Sequence, residues 1–271
     1  MGIHVTRSSL SLNQALYRLL YHRTYRQAFL DARHEELQLS IEDLKHLRTV
    51  DKEELIATSK TIARNLLAGN LEHSGGLRVS YPGVFQELQR LKVDLTELMY
   101  SFMESPPFNH YAEVPFAGRG ICIEEAFYSY LIGERFFIEA SPNNALLLTH
   151  EFLTALLSIL VINKDPAFRI DTDKIQHNGC VFYAVQTYPK EIAKALAKRP
   201  LEEFEGAEVC WLYAAASNRL LTGPVTPVIV EMLQSGSESE AKREWNDHPR
   251  FHADELQSSL RRLREAGLIA P

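Results

Sequence analysis

The stretch from Glu208 to Ile269 constrains the fold most, because side-chain spacing changes within it from strand-like to helical. Glu208-Val-Cys-Trp-Leu-Tyr-Ala-Ala-Ala-Ser217 carries the aromatic and branched residues of a β-run. Asn218 to Leu221 and then Thr222-Gly-Pro224 follow. Thr226-Pro227 marks a helix start, since a threonine N-cap is followed by proline at the first helical position, where its missing N–H costs nothing. Val228, Ile229, Met232 and Leu233 recur at helical intervals, and Gly236 closes the segment. Leu256, Leu260, Leu263 and Leu268-Ile269, with Gly267 at the C′ position, spell a last helix.

Strands followed by short helices over so short a span read as a winged-helix-like module, a scaffold that holds either DNA or a peptide. What precedes it is helical. Ser11 can cap a helix bearing Ala15, Leu16, Leu19 and Leu20, and Tyr25, Ala28 and Phe29 continue the pattern. Ser40 with Asp43, and Asp51 with Glu54, are capping-box-like starts. Pro82 and Asp94 open further helices, and Ser105-Pro-Pro107 stops the second of them. Phe108 to Gly120 reads as an extended, functionally placed loop, after which helical spacing resumes from Cys122 to Phe137. Ser141-Pro142 opens the longest apolar run, Ala145 to Ile162, which Thr149-His150-Glu151 interrupts. A charge near a bilayer centre is costly, so this run is expected to be a buried core helix rather than a membrane span. From Cys180 the spacing becomes strand-like, and Tyr188-Pro189 leads into a short helix. The expected fold class is mainly α: an N-terminal helical domain over residues 1–170, then a small α+β winged-helix-like peptide-recognition domain over 171–271.

The chain has 271 residues and a net charge of −6, with only Cys122, Cys180 and Cys210 as cysteines and no C-x-x-C. An odd, scattered set of thiols argues against a disulfide scaffold and suits a cytoplasmic protein. Catalytic signatures are missing. His34-Glu35 is followed by Gln38 where a zinc helix needs a second histidine, no G-x-S-x-G occurs, and Gly118-Arg-Gly120 lacks the lysine and hydroxyl residue of a phosphate cradle. The expectation is a chain that is not an enzyme by itself and holds no cofactor or metal of its own.

Charge separates the two uses of the C-terminal module. Residues 201–271 hold seven Lys and Arg against twelve Asp and Glu, a net of 7 − 12 = −5. Phosphate contacts supply most non-specific DNA affinity, and an acidic domain forgoes them. A winged-helix DNA-binding regulator is therefore the second reading, and no nucleic acid is expected as partner. A peptide asks less of charge, since it can add to an open sheet edge as an extra strand. Asn218, Arg219, Leu220 and Leu221 are the candidate edge, with the strand from Cys180 as the alternative. Leu256, Leu260 and Leu263 would form an apolar wall, with Arg261 and Arg264 meeting acidic residues of the peptide.

Tyr25 to Leu30, Leu39 to Leu44 and Val50 to Leu55 resemble the helical start of a family of peptide-maturation proteins. So do Tyr188 to Ile192, Val209 to Tyr213 and the closing helices. These are the partner subunits of multinuclear non-haem iron-dependent oxidative enzymes, which act in biosynthesis of ribosomally made, modified peptides such as methanobactin and the 3-thiaglutamate peptide. The resemblance implies a heterodimer in which iron and chemistry belong to the oxygenase. This chain would grip the leader of the ribosomally synthesised precursor peptide and present its cysteine. It also implies that the helical domain docks on the oxygenase, for which Phe108, Tyr111, Phe116 and Arg119 are candidate anchors. No membrane partner is expected.

Overall fold

The chain is described by a computed structural model covering residues 10–69, 75–112, 121–162, 169–204, 206–236 and 253–270. It is mainly helical with a small four-stranded antiparallel sheet, as the spacing predicts.

The first helices follow their caps. Ser11 and Gln14 close a reciprocal capping box at the start of α1 (Leu12–Tyr21). The helical pattern then breaks at His22, and α2 (Arg23–Leu30) begins with Glu104 accepting from the Thr24 main-chain N–H at 2.8 Å. Ser40 caps α3 (Ile41–Leu47) and Asp51 caps α4 (Lys52–Ala68) through two main-chain N–H groups. These elements enclose a small core of Ala15, Leu19, Ala28, Phe29, Leu37, Leu47 and Leu55.

A larger core begins with α5 (Leu77–Ser80) and α6 (Pro82–Arg90). It continues through α7 (Leu95–Glu104), α8 (Pro106–Ala112), α9 (Ile123–Glu134) and α10 (Phe136–Ala140). α11 (Pro142–Ile162) runs through it and packs on α6, α9 and α10. Although α11 is long and apolar enough to cross a membrane, the fold itself covers much of it, with the sheet laid on one side. One buried carboxylate orders this layer. Glu151 on α11 accepts from the main-chain N–H groups of Gly83 at 2.6 Å and Val84 at 2.9 Å, the orphan donors at the start of α6. Glycine is required there by close approach, since a Cβ on Gly83 would lie 2.8 Å from the carboxylate oxygen.

The sheet comprises β1 (Gln176–His177), β2 (Phe182–Pro189), β3 (Glu208–Ala215) and β4 (Leu220–Val225), in spatial order β1-β2-β3-β4. Between β2 and β3 lies α12 (Lys190–Ala197), and after β4 come α13 (Pro227–Gln234) and α14 (Ala253–Glu265). Because strand side chains alternate, β3 divides its residues between two cores. Val209, Trp211, Tyr213 and Ala215 face the helical layer and join its core. Leu212 and Ala214 face the other way and pack with Met232, Leu233, Leu260, Leu263, Leu268 and Ile269. The junction near residue 170 thus marks a change of secondary structure, and the helical layer and the sheet share one continuous core across it.

Candidate functional site: an open sheet edge

β4 pairs with β3 from Leu220 opposite Ala215 to Val225 opposite Cys210. Pro224, opposite Trp211, has no N–H to give to the ladder. The ladder bonds therefore run through Leu221, Gly223 and Val225, and Leu220, Thr222 and Pro224 turn their main-chain groups away from β3. Among the described residues no strand lies on that outer side, and no other main-chain hydrogen bond reaches it. The edge offers two outward N–H donors, at Leu220 and Thr222, and three outward carbonyls.

Side chains flank this edge on both faces. Leu220 is half-buried against the helical core, while Thr222 accepts from the Trp211 indole N–H at 2.7 Å. On the opposite face Leu221 and Val225 are half-buried beside Val228 and Ile229 at the start of α13. Asn218 and Arg219 lie exposed in the turn leading into β4.

β2 has a second open stretch beyond β1, which pairs only with Phe182 and Tyr183. That stretch carries Gln186 and Thr187, and the Gln186 side-chain amide donates to the Thr187 carbonyl at 3.2 Å. One of its acceptors is already answered by its own side chain, and its surroundings are more polar. Among the described residues β4 is the more open of the two edges.

The expected apolar wall is corrected. Leu260 and Leu263 are buried beneath the sheet as core residues, because α14 lays its apolar stripe on the same face as Leu212 and Ala214. Arg261 and Arg264 lie on the exposed side of α14, where Arg261 pairs with Glu265 at 3.3 Å across one helical turn. The Leu256 side chain lies outside the described residues. The residues that do flank the edge, Val225, Val228 and Ile229, were signalled by strand alternation running directly into the Thr226-Pro227 helix start.

The expected docking loop is corrected too. Its first part is the helix α8, and Phe108 on it is buried among Phe102, Tyr21 and Tyr111. An aromatic residue held by three rings in a core cannot serve as a surface anchor. Tyr111 is half-buried, with its phenol pKa raised by burial. Phe116 and Arg119 lie outside the described residues.

Two further polar groupings lie away from this edge. His150 on α11 sits with Nδ1 2.6 Å from the Tyr213 hydroxyl, which is 2.8 Å from that of Tyr188. Burial lowers the His150 pKa and pushes Tyr188 up to about 12, with Tyr213 raised as well. All three are neutral near pH 7 and form a hydrogen-bonded clasp between α11 and the sheet. A cleft of about 460 Å³ between α8, α9 and the segment entering the sheet holds His110, Glu125, Tyr128 and Asp171. Glu125 is buried, which raises its carboxyl pKa, and it accepts from the Asp171 N–H at 3.5 Å. Asp171 itself pairs with Arg169. Both groupings join elements of the fold.

Among the described residues no three His, Cys, Asp or Glu side chains converge as a metal site. Comparison with known protein families, with curated proteins and with solved structures returned no match.

Proposed function

We propose that this chain is a non-catalytic partner subunit that binds a peptide by strand addition at β4. In this reading it holds the leader of a ribosomally made precursor and presents the peptide's cysteine to an iron-dependent oxygenase. The observation that carries the peptide reading is the outward main chain of Leu220, Thr222 and Pro224, flanked by half-buried apolar side chains. An extended peptide satisfies such an edge residue by residue, and alternate side chains reach the apolar surface. The oxygenase partner is supported by the family resemblance in Tyr25 to Leu55 and in Tyr188 to Tyr213. Holding the leader raises the effective concentration of the far end at the iron site without contact to that end. The winged-helix-like description belongs to the same proposal, as the arrangement of β3, β4, α13 and α14 around the receiving edge.

Co-expression with the products of the adjacent genes tests this. A stable complex with an iron-containing enzyme, with peptide turnover only when both subunits are present, is the expected result. A salt-sensitive shift of duplex DNA without such a complex would support the regulator reading instead. The edge has its own test. Leu220→Pro removes an outward N–H while sparing the ladder to β3, and should weaken precursor binding by about tenfold or more. Oxygenase binding should be retained. Unchanged peptide affinity in a folded Leu220→Pro protein would remove strand addition at β4.

A further inference from the structure

Gly223 sits at the middle of the edge strand, between Leu221 and Val225 on the face that packs with α13. A Cβ built on it meets no described residue within 4 Å, and its φ lies outside the left-handed region that would demand glycine. Neither turn geometry nor close packing against the described residues explains a glycine here. Glycine in a strand interior weakens the strand, and it often marks a bulge, a tight bend or a place where a ligand or another backbone approaches closely. The register β3–β4 is continuous through Gly223 opposite Leu212, so there is no bulge.

We infer that the gap at Gly223 is a side-chain notch for the bound peptide, receiving one bulky apolar residue. This rests on strand addition at β4 and adds which residue type the edge selects. An antiparallel peptide pairs closely at Thr222 and Leu220, where donors and acceptors both face outward. Its intervening side chains then project onto the Gly223 face. The one opposite Gly223 enters the space between Leu221 and Val225, on the face where half-buried Val228 and Ile229 join the same core. An aromatic or branched side chain buries most area there. One residue after the peptide's residue at Leu220 lies Arg219, in the exposed turn that it shares with Asn218. Arg219 makes no ion pair with another described residue, so an acidic side chain fits that end.

A random dodecapeptide display library, selected on the full-length protein, tests the notch. Enriched peptides should carry a large apolar residue, with an acidic residue about four positions towards their C-terminus, the offset an antiparallel register sets. Gly223→Val fills the notch and suits a strand, so the protein should fold normally while those peptides bind about tenfold more weakly or worse. Gly223→Ala should give a smaller loss. If Leu220→Pro abolishes binding of the same peptides but Gly223→Val leaves it unchanged, the notch is overturned while strand addition stands. If neither substitution affects them, or no peptide that protects the Leu220 and Thr222 amides is enriched, strand addition at β4 fails and the notch with it.

Discussion

Replacing Phe127 with alanine is expected to lower the free energy of unfolding by about 4 kcal/mol. Phe127 is fully buried on α9 and is the hub of the aromatic core. Its ring stacks on Phe85 at 5.5 Å and meets Tyr81 and Phe102 edge-on at 5.4 and 5.2 Å. These neighbours come from α5–α6 and α7, so the cavity would open where three helices meet. Tyr81 is further fixed by its hydroxyl, which donates to the Glu124 carbonyl at 2.6 Å, so the wall cannot collapse inwards freely. Phe127→Leu keeps much of the volume and should cost about 1.5 kcal/mol or less. Urea unfolding measures both. A loss below about 1 kcal/mol for Phe127→Ala would mean that the helical core is not organised around this ring.

Glu151→Ala should cost about 3 kcal/mol, because it strands the Gly83 and Val84 N–H groups in a buried helix start. Glu151→Gln keeps an acceptor and should cost less. Titration gives an independent readout. Burial outweighs the two N–H donors and raises the Glu151 carboxyl pKa above its usual value. A raised carboxyl binds its proton more readily in the folded state, so its stabilising contribution is full below the unfolded value. That contribution is lost as pH rises through the folded value. The stability of the native protein relative to Glu151→Gln should therefore fall as pH rises above about 4.5. His150 has the opposite sign: burial lowers its pKa, so its contribution is present above about pH 6.5 and is lost as pH falls through the folded value. The paired comparison at Glu151 cancels the histidine. A gap that widens with rising pH would contradict the burial of this carboxyl.

Local signals were legible in the residues because they act over one helical turn or one strand. Ser11, Ser40, Asp51 and Asp94 cap as expected, Gly236 and Gly267 hold positive φ at helix ends, and Pro142 opens the long core helix. Thr226 stands at an N-cap position but its side chain makes no capping bond, so the start of α13 rests on Pro227 alone. The edge was legible only in part. Leu220 and Leu221 do open the edge strand, but Asn218 and Arg219 belong to the turn, and the strand runs on to Val225.

Misplaced residues were those whose role depends on what lies across the fold. Apolar periodicity shows that Leu260 and Leu263 form a stripe, yet it cannot tell a groove wall from a core, and the sheet claims both. Phe108 follows two prolines that look like a loop entry, but Pro106 starts α8, where its missing N–H is tolerated, and the ring turns into the core. Glu151 was visible only as an interruption in an apolar run, because the helix end it satisfies lies 67 and 68 residues away in sequence. Gly223 carries no signal of its own in Thr222-Gly-Pro224, and only its place in an edge strand, with no described residue near its Cβ position, draws attention to it.

Hydrogen exchange at the Leu220 and Thr222 amides, with and without precursor peptide, tests peptide binding at β4 most directly. Both N–H groups face outward from the ladder and should exchange quickly in the free protein. Strand addition predicts that saturating peptide slows both by about tenfold or more, with Gly223 little changed because its N–H already bonds to β3. Peptide binding that leaves the Leu220 and Thr222 amides exchanging at their free rates would contradict it.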